Sequence, residues 1–176
     1  YVPGPPVTAV AKREQPMWPA LQQLSGELQI NRNRLLVKSA AARLGAGGVM
    51  QVPKLEVQIN DLSDIVIDVS AQLKGPLSDA LSMVNASPLA DKVGPYLGAV
   101  TANGLADHQL QLTLPLDNLS LSRVQGSVML AGNDVQWLPS LPRFYKARGT
   151  VNYSESGMNV NGVRMRLLGG DAKLDG

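Results

Sequence analysis

Cysteine is absent from the 176 residues, and there is only one histidine, His108. Disulfides and thiolate metal sites are thereby excluded, and a transition-metal site would need several carboxylates to converge on a single imidazole. Without a Cys nucleophile, a Gly-x-Ser-x-Gly elbow or a second histidine, the chain offers no catalytic constellation, and no enzyme, metal or cofactor is expected. Aromatic residues are scarce, at 4% with one Phe, so Leu, Val, Ile and Ala must supply the apolar surface. Charge is thin and mixed, 17% of residues with a net +2, and lacks the clustered basic face that a nucleic-acid backbone requires. Its densest basic stretch, Arg32, Arg34 and Lys38, reads as a solvated turn. No apolar run approaches the ~18 residues of a membrane span, and Tyr1 to Pro6 lack the charged start and apolar middle of a signal peptide. Any anchor or export signal is expected outside this chain.

What the chain does have is alternation. Leu55, Val57 and Ile59 precede an Asn60-Asp61 turn, and Ile65, Ile67, Val69, Ala71 and Leu73 follow it, with Lys54, Glu56, Gln58, Asp68, Ser70 and Gln72 between them. A period of two places alternate side chains on opposite faces of a strand, and one dry face with one wet face marks antiparallel pairing. Leu110, Leu112, Leu114 and Leu116 repeat the pattern until Pro115 weakens the strand end, and Val124, Val128 and Leu130 predict the next strand. Residues 76–97 break the rule. Leu77, Leu81 and Val84 share a helical face behind Pro76, and Ser87 caps a second start with Leu89 and Val93 aligned until Gly94-Pro95 ends or kinks it. The expected fold is mainly β: a curled antiparallel sheet forming a groove or half-open β-sandwich, capped by a short helix pair near 76–97. Residues 1–17, with Pro3, Pro5, Pro6 and Pro16, read as an extended lead-in.

A cassette recurs near both ends. Trp18-Pro19-Ala20-Leu21 leads to Gly26-Glu27-Leu28-Gln29-Ile30, and Trp137-Leu138-Pro139-Ser140-Leu141 leads to Gly149-Thr150-Val151-Asn152-Tyr153. Each continues into a second alternating stretch ending at glycine, so 18–45 and 137–170 are related, about 120 residues apart, within a repeated β-groove domain spanning 18–176. Other motifs reduce to turns and packing. His108 is in phase with the inward leucines, Asp61, Asp64 and Asp68 read as solvated acids, and Gly45-Ala46-Gly47-Gly48 reads as a hairpin turn because it lacks GxGxxG spacing and a Walker lysine.

The remaining feature is a long aliphatic face. If it stays open, it exposes more apolar surface than soluble monomers usually do and meets a ligand, a membrane or another chain. Shielding half of a ~16-carbon acyl chain at about 0.8 kcal/mol per CH₂ is worth on the order of 6 kcal/mol against water and almost nothing against a bilayer, a balance that suits a conduit. The ordered motifs Trp137-x-Pro139-x-Leu141, Gly149-x-Val151-x-Tyr153 and Leu168-Gly169-Gly170 resemble the AsmA-like envelope proteins of Gram-negative bacteria, particularly their YhdP branch. So do Leu73-Lys74-Gly75-Pro76-Leu77, Ser87-Pro88-Leu89, Gly104 and Leu112-Thr113-Leu114-Pro115-Leu116.

That resemblance implies an inner-membrane anchor outside this chain, a periplasmic body of repeated β-groove units, and phospholipid moving toward the outer membrane. This chain would be an internal segment, with phospholipid acyl chains and neighbouring repeats as its partners and no nucleic acid. The groove candidates are Leu55, Val57, Ile59, Ile65, Ile67, Val69, Leu110, Leu112, Leu114, Val128, Leu130, Val151 and Tyr153. The same residues would equally serve a structural or assembly module with a closed core that pairs edge to edge with neighbouring repeats.

Overall fold

The computed structural model describes residues 20–45 and 49–176. The expected lead-in 1–17, Trp18-Pro19 of the first cassette and Ala46-Gly47-Gly48 lie outside the described residues. The strands are β1 (Leu21–Asn31), β2 (Arg34–Leu44), β3 (Met50–Ile59), β4 (Val66–Pro76), β5 (Thr101–Asn103), β6 (Leu105–Pro115), β7 (Arg123–Gln136), β8 (Phe144–Ser154), β9 (Gly157–Leu167) and β10 (Gly170–Leu174). Two helices, α1 (Leu77–Ala86) and α2 (Ala90–Leu97), fall between β4 and β5.

As the alternation predicts, all the strands join one antiparallel sheet, in the order β1-β2-β3-β4-β6-β7-β8-β9-β10. The sheet curls without closing into a barrel, so β1 and β10 are open edges among the described residues.

The short β5 pairs with the end of β7 that β6 leaves free, Thr101 opposite Gln136 and Ala106 opposite Leu130. One side chain holds this interruption. Asn133, almost fully buried, accepts the Ala131 N–H at 2.8 Å and donates to the carbonyls of Asn103 and Leu105, both at 3.0 Å. Gly104 between those carbonyls has φ +93°, and a Cβ there would stand 2.9 Å from Asn133 Nδ2, so glycine is required on both counts.

The two cassette stretches fold into hairpins whose landmarks recur 123 residues apart. β1 and β2 start at Leu21 and Arg34, β8 and β9 at Phe144 and Gly157, and all four strands are 11 residues long. The bulge between Gln22 and Ser25 of β1 recurs between Tyr145 and Arg148 of β8. Gln23 and Lys146, at matching positions inside those bulges, both have φ +52°.

The helix pair lies on the apolar face. Leu77 and Leu81 of α1 pack with Ala102, Ala106 and Leu130, whereas Ala80 and Met83 pack with Leu55, Ala71 and Leu73. Val84 joins Leu89 and Val93 over Leu112 and Val124, and Lys92 Nζ donates to the Ser120 carbonyl at 2.7 Å, tying α2 to the turn after β6. Ser87, expected to cap the second helix, instead closes α1 as its C-cap, while Leu89 begins α2; in the break its Oγ accepts the Leu89 N–H at 3.2 Å and donates to the Val84 carbonyl at 2.8 Å.

Two further expectations are corrected. Of the two outcomes expected at Gly94-Pro95, an end or a kink, the first does not occur: Pro95 lies inside α2, which runs on to Leu97. The amide missing at Pro95 would have bonded the carbonyl of Asp91, an exposed residue, and the helix needs only two more residues. Ile65 lies just before β4 rather than within it; its carbonyl still accepts the Leu116 N–H at 3.0 Å, and its side chain is exposed on the rim.

Candidate functional site

Cross-strand register assembles the apolar face into rows. One runs Ile30, Leu35, Ile59, Ile67, Leu114 across β1, β2, β3, β4 and β6. The next runs Leu28, Val37, Val57, Val69, Leu112, Val124 and so reaches β7. At about 4.8 Å per strand the five-strand row is ~19 Å long, longer than the ~15 Å of one leaflet's hydrocarbon.

Cover over these rows is graded. Val124 and Leu112 are 1% and 6% exposed beneath α2, whereas Leu28 and Ile30 at the β1 edge are 59% and 64% exposed. Val57, Ile59, Ile67, Val69 and Leu114 lie between, half-buried.

The structure therefore divides the residues proposed from sequence. Leu55, Leu112 and Leu130 are buried under the helix pair. Leu110 is half-buried, bordering the clusters under both helices, and Val128 and Val151 flank the cluster beneath α1. Tyr153 packs against the Leu112 and Val124 cluster, and burial pushes its hydroxyl up to about 12. Its ring occupies the space that a side chain at Gly126 would need. Ile65 stands apart, on the rim. Sequence reasoning omitted Leu28, Ile30, Leu35 and Val37 from the face, although their period-two spacing was the same signal that selected the others.

His108 sits between Leu73 and Val128 on the apolar face, 6% exposed, with Nε2 unpartnered. Burial lowers its pKa, against smaller upward pulls from Asp107 and the Gly75 backbone. The acids do not converge. Asp61 accepts the Ser63 N–H at 2.8 Å, and these turn bonds lower its pKa, while Asp68 accepts from Thr113 Oγ1 at 2.9 Å. A hollow of about 670 Å³ lies along the polar side of β6 to β9; its lining includes Gln109, Gln111, Gln125, Ser127, Asn152 and Asn159 but no carboxylate, imidazole or amine. No helix among the described residues is long and apolar enough to cross a membrane.

Comparison with known proteins places these features in a family. The family described as YhdP protein matches residues 13–176. A curated relative, the intermembrane phospholipid transporter YhdP of Escherichia coli (strain K12), is 31% identical over 121 residues, which cover 69% of this chain and 9% of that protein. The chain thus spans only a small part of that relative's length, and no solved structure matches it. Because the match runs from before β1 through every strand of the sheet, the chain belongs to the YhdP family.

Proposed function

We propose that this chain is a non-enzymatic segment of a periplasmic, bridge-like protein that carries phospholipid along its apolar face between the inner and outer membranes. The observation that supports this most strongly is the graded opening of the apolar face: the row through Leu28 runs from open at β1 to sealed at Leu112 and Val124, and the row beside it from open at Ile30 to half-buried at Leu114. The rows consist of aliphatic side chains without a charged group, so an acyl chain gains shelter from water with little preference for one position, which permits sliding.

A second reading has its own support. Val151 and Tyr153 stand 123 residues after Leu28 and Ile30 in the matching hairpin, and there they pack against the clusters beneath the helices. Under this reading the cassettes are one repeated unit, the β1 rows receive the helix pair of a neighbouring repeat, and the segment is an assembly module with a closed core.

Native mass spectrometry of the purified chain, with extraction and analysis of bound lipid, separates the two. Stoichiometric phospholipid, captured by a photo-reactive residue at Ile67 or Leu28, is the expected result. A lipid-free protein that associates through its β1 edge would replace the transport reading with the assembly module.

A further inference from the structure

The outer face of β8, β9 and β10 gathers positive charge that is scattered in sequence. Arg148 stands directly opposite Arg164, which stands directly opposite Lys173, making a row of three cations across three strands. Lys146 and Arg166 share the same open hollow of about 380 Å³. Nearby carboxylates are already engaged: Asp171 with Arg166 at 3.6 Å, Asp175 with Lys173 at 2.6 Å, and Asp134 with the Lys146 backbone N–H at 3.1 Å. Arg148 and Arg164 have no ion-pair partner among the described residues.

Like charges directly opposite one another weaken a sheet. The matching hairpin shows that the backbone does not need them. At the positions of Lys146, Arg148, Arg164 and Arg166, the first hairpin carries Gln23, Ser25, Ala41 and Arg43, with the same bulge and the same left-handed residue. Three of the four cations are therefore additions to a backbone that forms without them.

We propose that this strip is a phosphate-binding surface that docks on anionic phospholipid headgroups. Guanidinium groups meet phosphate oxygens through paired N–H donors, and two unpartnered ones side by side suit an array of phosphates. The side chains of Arg166 and Lys173 are more than half exposed, which fits a layer of headgroups better than a single enclosed anion. This surface lies on the side of the sheet opposite the apolar rows, and its occupancy is independent of whether those rows carry lipid.

The test is flotation of the full chain with vesicles of phosphatidylcholine alone and of phosphatidylcholine containing about one third phosphatidylglycerol, at low and high salt. The double variant R148S/R164A installs the residues of the first hairpin. It should bind the anionic vesicles about 30-fold more weakly, with neutral-vesicle binding unchanged. R148K/R164K keeps the charge and should retain most of the binding, and R164A alone should lose about fivefold. Equal binding of a folded R148S/R164A protein to anionic vesicles would overturn the proposal. So would displacement of wild-type protein by inorganic phosphate, but not by chloride at matched ionic strength, since that marks a site for the free ion.

Discussion

Replacing Ile67 by Asp places one charge in the middle of the five-strand apolar row while sparing the sealed core. Ile67 is half-buried between Ile59 and Leu114. Losing that partial burial costs the fold about 1–1.5 kcal/mol, and the new carboxylate keeps access to water. An acyl chain lying on the row loses more. A charged side chain displaces it over roughly one strand's width, about four methylenes, which at ~0.8 kcal/mol each amounts to ~3 kcal/mol, or about 100-fold in affinity. The assay is bound phospholipid per protein by native mass spectrometry, beside a urea unfolding curve for the same sample. Leu112→Asp supplies the contrast, because a carboxylate buried beneath α2 costs several kcal/mol and unfolds the protein. If Ile67→Asp folds with a near wild-type midpoint and still carries wild-type lipid, the row is not the lipid path.

Asn133→Ala strips partners from one N–H and two carbonyls at the join between β5 and β6, and a loss of about 3–5 kcal/mol is expected in urea unfolding. Gly126→Ala forces the Tyr153 ring to move and sets a Cβ 2.7 Å from the Gln109 carbonyl, so a loss of about 1–3 kcal/mol is expected, partly recovered in Gly126→Ala/Tyr153→Ala. His108 titrates lower in the folded chain than its ordinary 6.5, so the unfolded chain takes up the proton first. Wild-type stability should therefore fall as pH drops below 6.5 and level off once the folded form also protonates; His108→Leu should flatten that stretch of the thermal-midpoint profile.

Much of the sheet was legible because alternation encodes a face directly: Leu55, Val57, Ile59 and Leu110, Leu112, Leu114 each read correctly from their spacing alone. The helix pair was legible from Pro76, Ser87 and two aligned apolar sets. Which part of the apolar face the helices would cover was not, since local period carries no information about what packs above a strand; Leu112 and Leu28 share the same alternation, yet one is 6% and the other 59% exposed. The Asn133 join was hidden because its partners, Asn103 and Leu105, lie some 30 residues upstream. The cationic strip was missed for the same reason. A scan for basic runs finds Arg32, Arg34 and Lys38, while Arg148, Arg164 and Lys173 become neighbours only through strand register.

The hairpin that returns after 123 residues also sets a length. From the start of β1 to the start of β8 the sheet advances by six strands, β1, β2, β3, β4, β6 and β7, or about 29 Å at ~4.8 Å per strand. Under the repeat reading, each further unit extends the sheet by that pitch, so residue count becomes a ruler for the length of the sheet. Excising one unit, from Leu21 through Arg143, would shorten the reach by a fixed step and join matching registers, leaving the geometry on either side of the splice alike.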